Sequence, residues 1–391
     1  MPMTAAADVD KGLIDRVRGR LAQLGSRPTP ANLADAIRAE TGGLLTNADL
    51  LDTLRLLDRE FIGAGPLEPL LRMDGVTDVL VTGPGRVWVD RGHGLTRTAV
   101  TLPDEEAVRR LAQRLALAAG RRLDDAQPFV DGWLPGGVRL HAVLAPIAAG
   151  GTCISLRALK PATHDLATLR DLGTFTESTE NLLRRMMKAR LSFLVVGGTG
   201  SGKSTLLNAL LGCADPAERI VTIEEAEELH PAHPHVVRLV ARPPNIEGAG
   251  EITLRELVRQ ALRMRPDRLV LGEARGAEIA DLLAAMNTGH EGCAGTLHAN
   301  SPTEVPARLE ALAALGGLSR PALHSQLSAA LQVVLHLRRD EHGNRALSAV
   351  GVLDRTDDYI RVVPVWQQNH GWTTAKTRLT TLLRTREPAP T

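Results

Sequence analysis

The segment GGTGSGKST, residues 197–205, combines closely spaced glycines with a lysine and hydroxyl side chains. The spacing of Gly197, Gly202, Lys203 and Ser204 matches the phosphate-binding P-loop pattern. The apolar run FLVV precedes it and STLLNALLG follows as a predicted helix, whose N-terminal amides attract an anion. Lys203 is predicted to neutralise the β- and γ-phosphates, and the Ser204 hydroxyl to bind Mg²⁺. The predicted nucleotide-binding residues are Gly197, Gly198, Thr199, Gly200, Ser201, Gly202, Lys203, Ser204 and Thr205.

Acidic side chains follow two further apolar runs. DRLVLGEARG is predicted to be a strand ending at Glu273, and IVTIEEAEEL a strand ending at Glu224 and Glu225. The carboxyl ends of neighbouring parallel strands form the ligand site of an open α/β sheet. We therefore predict that these three acids are catalytic, and that Ser204, Glu224 and Glu273 hold Mg²⁺ directly or through water. A solvated loop charge is the alternative for each acid taken alone.

A loop of small residues, MNTGHEGCAGTLHANSP, carries His290 and His298. A lone histidine is more often structural than functional, and that interpretation stays open here. A metal site in this loop, or at HPAHPH (230–235), is a further alternative.

The whole-chain composition restricts the class of protein. The 391 residues suffice for two or three domains, and 43% are hydrophobic. A net charge of +1 and an aromatic fraction of 2% argue against a nucleic-acid-binding protein. The three cysteines form no CxxC pair, which favours a reducing cytosol. The N-terminus shows no signal-peptide pattern and the chain no apolar run of about 18 residues, so a cytoplasmic location is expected.

The order of predicted elements divides the chain into four regions. Residues 1–62 are predicted to be short helices, 63–160 a compact α+β domain, and 161–176 a linker. From 177 to 391, strands and helices alternate as far as about residue 340. That alternation is typical of α/β proteins with a mostly parallel sheet covered by helices.

Taken together, the P-loop and three other stretches resemble the secretion (traffic) ATPase family, and most closely its Tad/CpaF-type pilus-assembly ATPases. The other stretches are TIEEAEEL, VVRLVARPPNIEGAGEITLRELVRQALRMRPDRLVLGEARG and NTGHEGCAGTLHANSP. GPLEPLLRMDGVTDVLVTGP and GRRLDDAQPFVDGWLPGGVRLHAV resemble the N-terminal domain of that family, so the resemblance spans about residues 60–340. It implies a hexameric ring, in which an N-terminal α+β domain is flexibly joined to a RecA-like P-loop motor domain and ATP binds between them.

The resemblance also implies roles for individual residues. His290 and His298 would sense the γ-phosphate, and Arg238 and Arg242 would be arginine fingers, given to a neighbouring subunit. Arg157 would reach the phosphates from the N-terminal domain. Arginine suits these roles because its planar fork meets two phosphate oxygens at once.

The chain departs from the family pattern in two places. Glu225 stands where the family usually has Asp, which lengthens that side chain, so Glu224 and Glu273 are the stronger candidates. PGGVR replaces an Asp-Gly pair that usually precedes an arginine, here Arg139, the other predicted phosphate contact.

The function that the resemblance implies is that of an ATP-driven motor with Mg²⁺ as cofactor. Its expected partners are copies of itself in a hexamer and inner-membrane platform proteins of a pilus or secretion machine. Its expected place is the inner face of the cytoplasmic membrane. Two alternatives stay open: a conjugation-type type IV secretion ATPase, and a nucleotide-dependent scaffold with little turnover.

Overall fold

The computed structural model describes residues 16–17, 20, 30–42, 64–92, 94–134, 136–158, 164–245, 248–287, 289, 291–356 and 359–386. The chain divides into two compact units, residues 1–159 and 160–391. Most of the predicted helical region 1–62 lies outside the described residues. Within it the structure describes helix α1, Pro30–Glu40.

The first unit is built on a six-stranded antiparallel sheet in the order β3-β2-β1-β6-β5-β4. The segment LPDEEAVRRLAQRLALAAG contains the long helix of this unit, and the Asp104 carboxylate accepts a hydrogen bond from the Ala107 amide at its N-terminus. Its apolar face packs on the sheet. The elements are α2 Glu68–Leu71, β1 Asp78–Thr82, β2 Val87–Asp90, β3 Leu95–Arg97, α3 Glu105–Ala118, β4 Phe129–Leu134, β5 Val138–Val143 and β6 Cys153–Ala158.

The second unit is built on a nine-stranded sheet in the order β15-β14-β13-β12-β7-β11-β10-β8-β9. The strands from β12 to β9 are parallel, and β13 to β15 extend the sheet antiparallel. The strands are β7 Phe193–Gly197, β8 Ile220–Glu224, β9 Val236–Val240, β10 Arg268–Ala274, β11 Ala294–Leu297, β12 Val333–Arg339, β13 Arg345–Thr356, β14 Tyr359–Gln367 and β15 Gly371–Trp372. The helices are α4 Leu166–Asp171, α5 Glu177–Lys188, α6 Lys203–Leu211, α7 Leu254–Ala261, α8 Glu278–Met286, α9 Val305–Leu315, α10 Arg320–Ala330 and α11 Lys376–Arg386.

Helices cover both faces of this sheet. Alternate residues of β7 enter opposite cores: Phe193 and Val195 pack with α4, α5, α6 and α11, whereas Leu194 and Val196 pack with α7 to α10. All five β7 residues are buried, as expected for a central parallel strand. The predicted α/β class with a mostly parallel, helix-covered sheet is confirmed, and its P-loop strand lies in the middle.

The segment predicted as a linker, residues 161–176, differs in the structure. Residues 166–171 form α4, whose Leu166 and Leu169 are buried in the core of the second unit. The Asp165 carboxylate accepts a hydrogen bond from the Thr168 amide and so begins this helix. An apolar pair at i and i+3 is enough to dock so short a helix.

Membrane-spanning segments were not expected from the sequence. In the described part of the chain, none of the helices has the length and apolar character that crossing a bilayer requires.

Candidate active site

The P-loop connects β7 to α6 through a tightly packed turn. A Cβ atom added at Gly197 would lie 2.4 Å from the carbonyl oxygen of Leu337 and 2.6 Å from the Ser201 Oγ. Gly202, directly before α6, has a φ of +94°. Both positions therefore require glycine, the first for space and the second for a left-handed backbone.

The Lys203 side chain is folded back against this loop. Only 9% of its surface is exposed, and its Nζ donates hydrogen bonds to the carbonyl oxygens of Gly197 (3.1 Å) and Gly198 (2.9 Å). Burial lowers the pKa of Lys203, and the nearby Glu273 carboxylate opposes that shift. An anion stabilises a poorly solvated ammonium beside a helix N-terminus. The positive potential at this position therefore favours the binding of a phosphate group.

The remaining residues of the P-loop surround these two positions. Gly198, Thr199 and Gly200 are exposed, Ser201 is buried, and Thr205 is partly buried in the first turn of α6. The loop thus presents its backbone outward while its lysine lies inside.

The Ser204 hydroxyl contacts an acid that the sequence analysis did not select. Its Oγ donates a hydrogen bond of 2.9 Å to Oε2 of Glu228. Glu228 belongs to the same acidic run as Glu224 and Glu225, so the run itself was the available signal. A hydroxyl and a carboxylate are both oxygen ligands of the kind that Mg²⁺ prefers.

Glu224 lies beneath this acidic loop rather than at its surface. Only 3% of it is exposed, and its Oε1 accepts hydrogen bonds from the amides of Glu228 (3.1 Å) and Leu229 (3.0 Å). Burial raises the pKa of Glu224 to about 7. Its Oε2 is buried without a hydrogen-bond partner among the described residues. In this structure Glu224 orients the loop, and Glu228 is the acid that reaches Ser204.

Strand β10 has a glycine where it passes Glu224. A Cβ atom added at Gly272 would lie 2.7 Å from the Glu224 Cγ. The acidic loop can therefore pack against β10 only because residue 272 lacks a side chain. This contact brings the acids of β8 close to the end of β10, where Glu273 follows directly.

Two side chains lie against the Glu273 carboxylate. Its Oε1 lies 2.8 Å from His298 Nε2, and its Oε2 accepts a hydrogen bond of 2.7 Å from Arg275 Nη2. Arg275 Nη1 also donates to Glu225 Oε2 at 2.9 Å, so one guanidinium joins the two acids. Arg275 was not among the predicted site residues, although it belongs to the segment DRLVLGEARG that carries Glu273.

His298 links the acid to the P-loop lysine. The same Nε2 that lies close to Glu273 is 3.5 Å from Lys203 Nζ. Burial lowers the pKa of His298, and the Lys203 cation lowers it further. A neutral imidazole is therefore favoured, and the Lys203 ammonium and the Glu273 carboxylate both lie beside this ring. A cavity of about 320 Å³ adjoins them, lined by Gly197, Gly198, His298, Ala299, Asn300, Glu304 and Arg308.

The topology explains this convergence. Lys203 follows β7, His298 follows β11, and Glu273 lies near the end of β10. These three strands are adjacent and parallel, and β8 adds Glu224 beside them. Parallel neighbours bring their carboxyl ends to one edge of the sheet. Residues far apart in sequence therefore form one site.

The other predicted site residues lie away from the P-loop or outside the described residues. His290 is not among the described residues. Arg238 lies on β9 with its Nε 3.3 Å from Glu227 Oε1, and the Nε of Arg242 donates to the Gly250 carbonyl at 2.8 Å. β9 is an edge strand, separated from β7 by β8, β10 and β11. The structure therefore does not bring these two arginines to the P-loop of their own chain.

The two arginines predicted from the first unit lie opposite one another on β5 and β6. Arg139 forms an ion pair of 2.6 Å with Asp131, and Arg157 one of 2.9 Å with Asp78. Each is thus paired within its own unit. Among the described residues, no group of three or more His, Cys, Asp or Glu side chains is placed to hold a metal ion.

Comparison with known proteins gives a consistent result. Residues 60–381 match the family described as type II/IV secretion system protein. A putative conjugal transfer protein of Mycobacterium tuberculosis is 59% identical over 352 residues, which cover 88% of this chain and 100% of that protein. The type IV secretion system protein PtlH of Bordetella pertussis is 35% identical over 262 residues, covering 60% of this chain and 76% of that protein.

One solved structure supports the fold. The ATPase DotB of Yersinia pseudotuberculosis has a TM-score of 0.51 at 20% identity, with 81% of each chain covered. The predicted fold class, a RecA-like ATPase unit with an N-terminal α+β unit, is thereby confirmed.

Proposed function

This chain belongs to the type II/IV secretion system protein family, within the secretion ATPases, and we propose that it is the hexameric motor of a Tad/Flp-type (type IVb) pilus or a type II/IV-like secretion machine. In this proposal the ring works at the inner face of the cytoplasmic membrane, on platform proteins embedded there. The observation that carries the enzymatic part is the meeting of Lys203, His298 and Glu273 beside the P-loop.

The residues present suit Mg·ATP as substrate. Lys203 is buried, and its Nζ donates hydrogen bonds to the neutral carbonyl oxygens of Gly197 and Gly198. Phosphate oxygens can replace these carbonyls as its acceptors. Ser204 and Glu228 would hold Mg²⁺, which when bound neutralises charge on the β- and γ-phosphates. Glu224 keeps Glu228 in place through the loop amides.

Hydrolysis requires a group that orients water opposite the phosphate. Glu273 lies beside the His298 ring, which in turn lies beside the P-loop lysine, and it would orient and deprotonate that water. Arg275 fixes one of its oxygens, leaving the other toward His298. His298, neutral between lysine and acid, can donate to a phosphate oxygen without adding net charge. Positioning and electrostatics supply most of the catalysis in such a reaction.

The edge position of Arg238 and Arg242 suits action across a subunit boundary. In a cyclic ring each interface joins two different surfaces, so an arginine at the sheet edge of one subunit can complete the site of the next. Such an arginine would stabilise charge on the transferring phosphoryl group.

A mixing experiment tests this ring. We expect the double variant Arg238→Ala/Arg242→Ala and the variant Lys203→Ala each to lose ATPase activity. Mixed rings obtained by co-expression should regain about a quarter of the wild-type rate, because random assembly pairs an intact P-loop with an intact arginine at that frequency. The control is co-expression of Lys203→Ala with Glu273→Gln, which should stay inactive since both residues belong to one subunit's half of the site. Full activity in the double variant, or mixed rings that stay inactive, would refute the action of these arginines in trans.

A second candidate function is conjugation. The Mycobacterium tuberculosis relative is named a putative conjugal transfer protein, and it is 59% identical to this chain. A motor that moves DNA or effector proteins would use the same site, so the chemistry does not separate the two functions.

A chromosomal Lys203→Ala substitution in the source organism separates them. The pilus proposal predicts loss of surface filaments, counted by electron microscopy, with an unchanged frequency of DNA transfer between cells. Loss of DNA transfer with normal filaments would contradict it and favour conjugation. Restoring the wild-type codon should restore the filaments, and the surface variant Lys188→Ala should not affect them.

A further inference from the structure

The hairpin between β12 and β13 reaches the outer side of the P-loop. β12 runs parallel to β7 with Leu337 opposite Gly197, the last residue of β7. β12 continues for two residues beyond that point to Arg339, which lies directly opposite Arg345 of β13. The hairpin therefore extends past the end of β7, to the level at which the P-loop begins.

Both arginines of this pair approach the loop backbone. Arg345 Nε donates a hydrogen bond of 3.0 Å to the carbonyl oxygen of Gly200. A Cβ atom added at Gly202 would lie 3.2 Å from the Arg345 Cδ, and one added at Gly200 would lie 3.5 Å from the Arg339 Nη1. The side chains of both arginines thus lie beside the glycines that shape the nucleotide site.

This arrangement places like charges together. Equal charges directly opposite one another in an antiparallel pair are destabilising. Burial lowers the pKa of Arg345, and the Arg339 cation lowers it further. The Asp340 carboxylate of the turn accepts hydrogen bonds from the His342 and Asn344 amides. None of the ion pairs in the described part of the chain includes Arg345.

Within the function proposed above, on which this step rests, we infer that Arg345 is a positioning residue of the nucleotide site. It holds the Gly200 carbonyl by its hydrogen bond, so that this oxygen is kept from the phosphates while the loop amides stay available to them. Its cationic side chain also supplies positive potential beside the loop, which the triphosphate neutralises. The hairpin tip is thereby a second cationic arm of the site, outside the P-loop, whereas Lys203 is the inner one.

The inference predicts a graded loss of nucleotide affinity. In full-length Arg345→Ala, we expect the Kd of Mg·ATP, measured by calorimetry, to rise about tenfold, as for loss of one charged hydrogen bond. The Kd of Mg·ADP should rise less, because ADP carries less negative charge. Arg345→Lys, which keeps the charge, should recover part of the ATP affinity, and the loss should shrink in high salt.

A neighbouring residue provides the control. Arg338 precedes Arg339 on β12, is exposed, and points to the opposite face of the strand. Arg338→Gln should leave both Kd values unchanged. Arg345→Gln, which removes the charge but keeps an N–H donor, replaces the alanine variant if the latter has a lowered melting temperature.

Two results would overturn the inference. One is a Kd for Mg·ATP within about twofold of wild type in both neutral variants. The other is an equal loss of ATP and ADP affinity that Lys does not relieve, since a purely structural contact behaves in that way. Wild type and Lys203→Ala, measured in parallel, separate this failure from that of the proposed function. If the wild-type chain binds no nucleotide, or if Lys203→Ala binds it as tightly as wild type, the proposed function itself fails.

Discussion

The variant Lys203→Ala is expected to lose at least about a hundredfold in ATP turnover, the usual loss when one electrostatic donor is removed from a phosphoryl-transfer site. Lys203 is buried, its ammonium contacts two P-loop carbonyls, and it lies 3.5 Å from His298. Removing it deletes the inner cation of the site. Phosphate release at saturating Mg·ATP measures turnover, and calorimetry measures the accompanying loss of affinity.

Two matched variants show whether the position or only the charge matters. Lys203→Arg should be nearly as inactive as alanine, because a planar guanidinium does not fit a space that leaves the lysine 9% exposed. Lys188→Ala removes an exposed lysine at the end of α5 and should keep the wild-type rate. Wild-type turnover in Lys203→Ala would refute the assignment of the P-loop as the catalytic nucleotide site.

The variant Glu273→Gln is expected to lose about a hundredfold to ten-thousandfold in turnover while it still binds ATP. Glutamine keeps the shape of the side chain and its contact with Arg275, but it cannot accept a proton from water. Single-turnover phosphate release measures the chemical step, and nucleotide calorimetry measures binding on the same protein. The combination of tight binding and slow hydrolysis is the expected signature.

Glu225 provides the comparison for that experiment. It shares Arg275 with Glu273 but has no contact with His298 among the described residues. Glu225→Gln should therefore reduce turnover by less than Glu273→Gln does. If the ranking is reversed, Glu225 rather than Glu273 is the base, and the mechanism above is wrong. If both variants hydrolyse ATP at the wild-type rate, neither acid acts on the water. The scaffold alternative is a separate outcome, in which the wild-type protein itself has little turnover.

The parts of the site that the sequence predicted have local signals. The P-loop is a contiguous pattern, and Glu273 and Glu224 are recognisable as acids at the ends of apolar strands. The rule that parallel strands bring their carboxyl ends together then places them in one site. The sheet order, with β7, β11, β10 and β8 adjacent, has that form.

The parts that were not predicted depend on contacts between distant segments. Glu224 accepts hydrogen bonds from the amides of Glu228 and Leu229, and Glu228 is the acid of the run that contacts Ser204. Arg345 contacts Gly200, which lies 145 residues earlier in the chain, and this contact depends on the register of β12 beside β7. Neither relation leaves a pattern in the sequence of one segment.

The segment 161–176 shows a different limit. Its polar composition is typical of a linker, but the spacing of Leu166 and Leu169 is that of a helix with one buried face. The core of the second unit provides the surface that such a helix needs. Local composition therefore did not predict its packing.

The most direct test of this account is a structure of the Glu273→Gln variant with Mg·ATP bound. The account predicts the triphosphate on the loop 197–205, with Lys203 Nζ moved from the Gly197 and Gly198 carbonyls to phosphate oxygens. It also predicts that the Ser204 hydroxyl leaves Glu228 Oε2 and binds Mg²⁺. A nucleotide bound elsewhere, or a P-loop that keeps its lysine on those carbonyls with no phosphate beside it, would contradict the account.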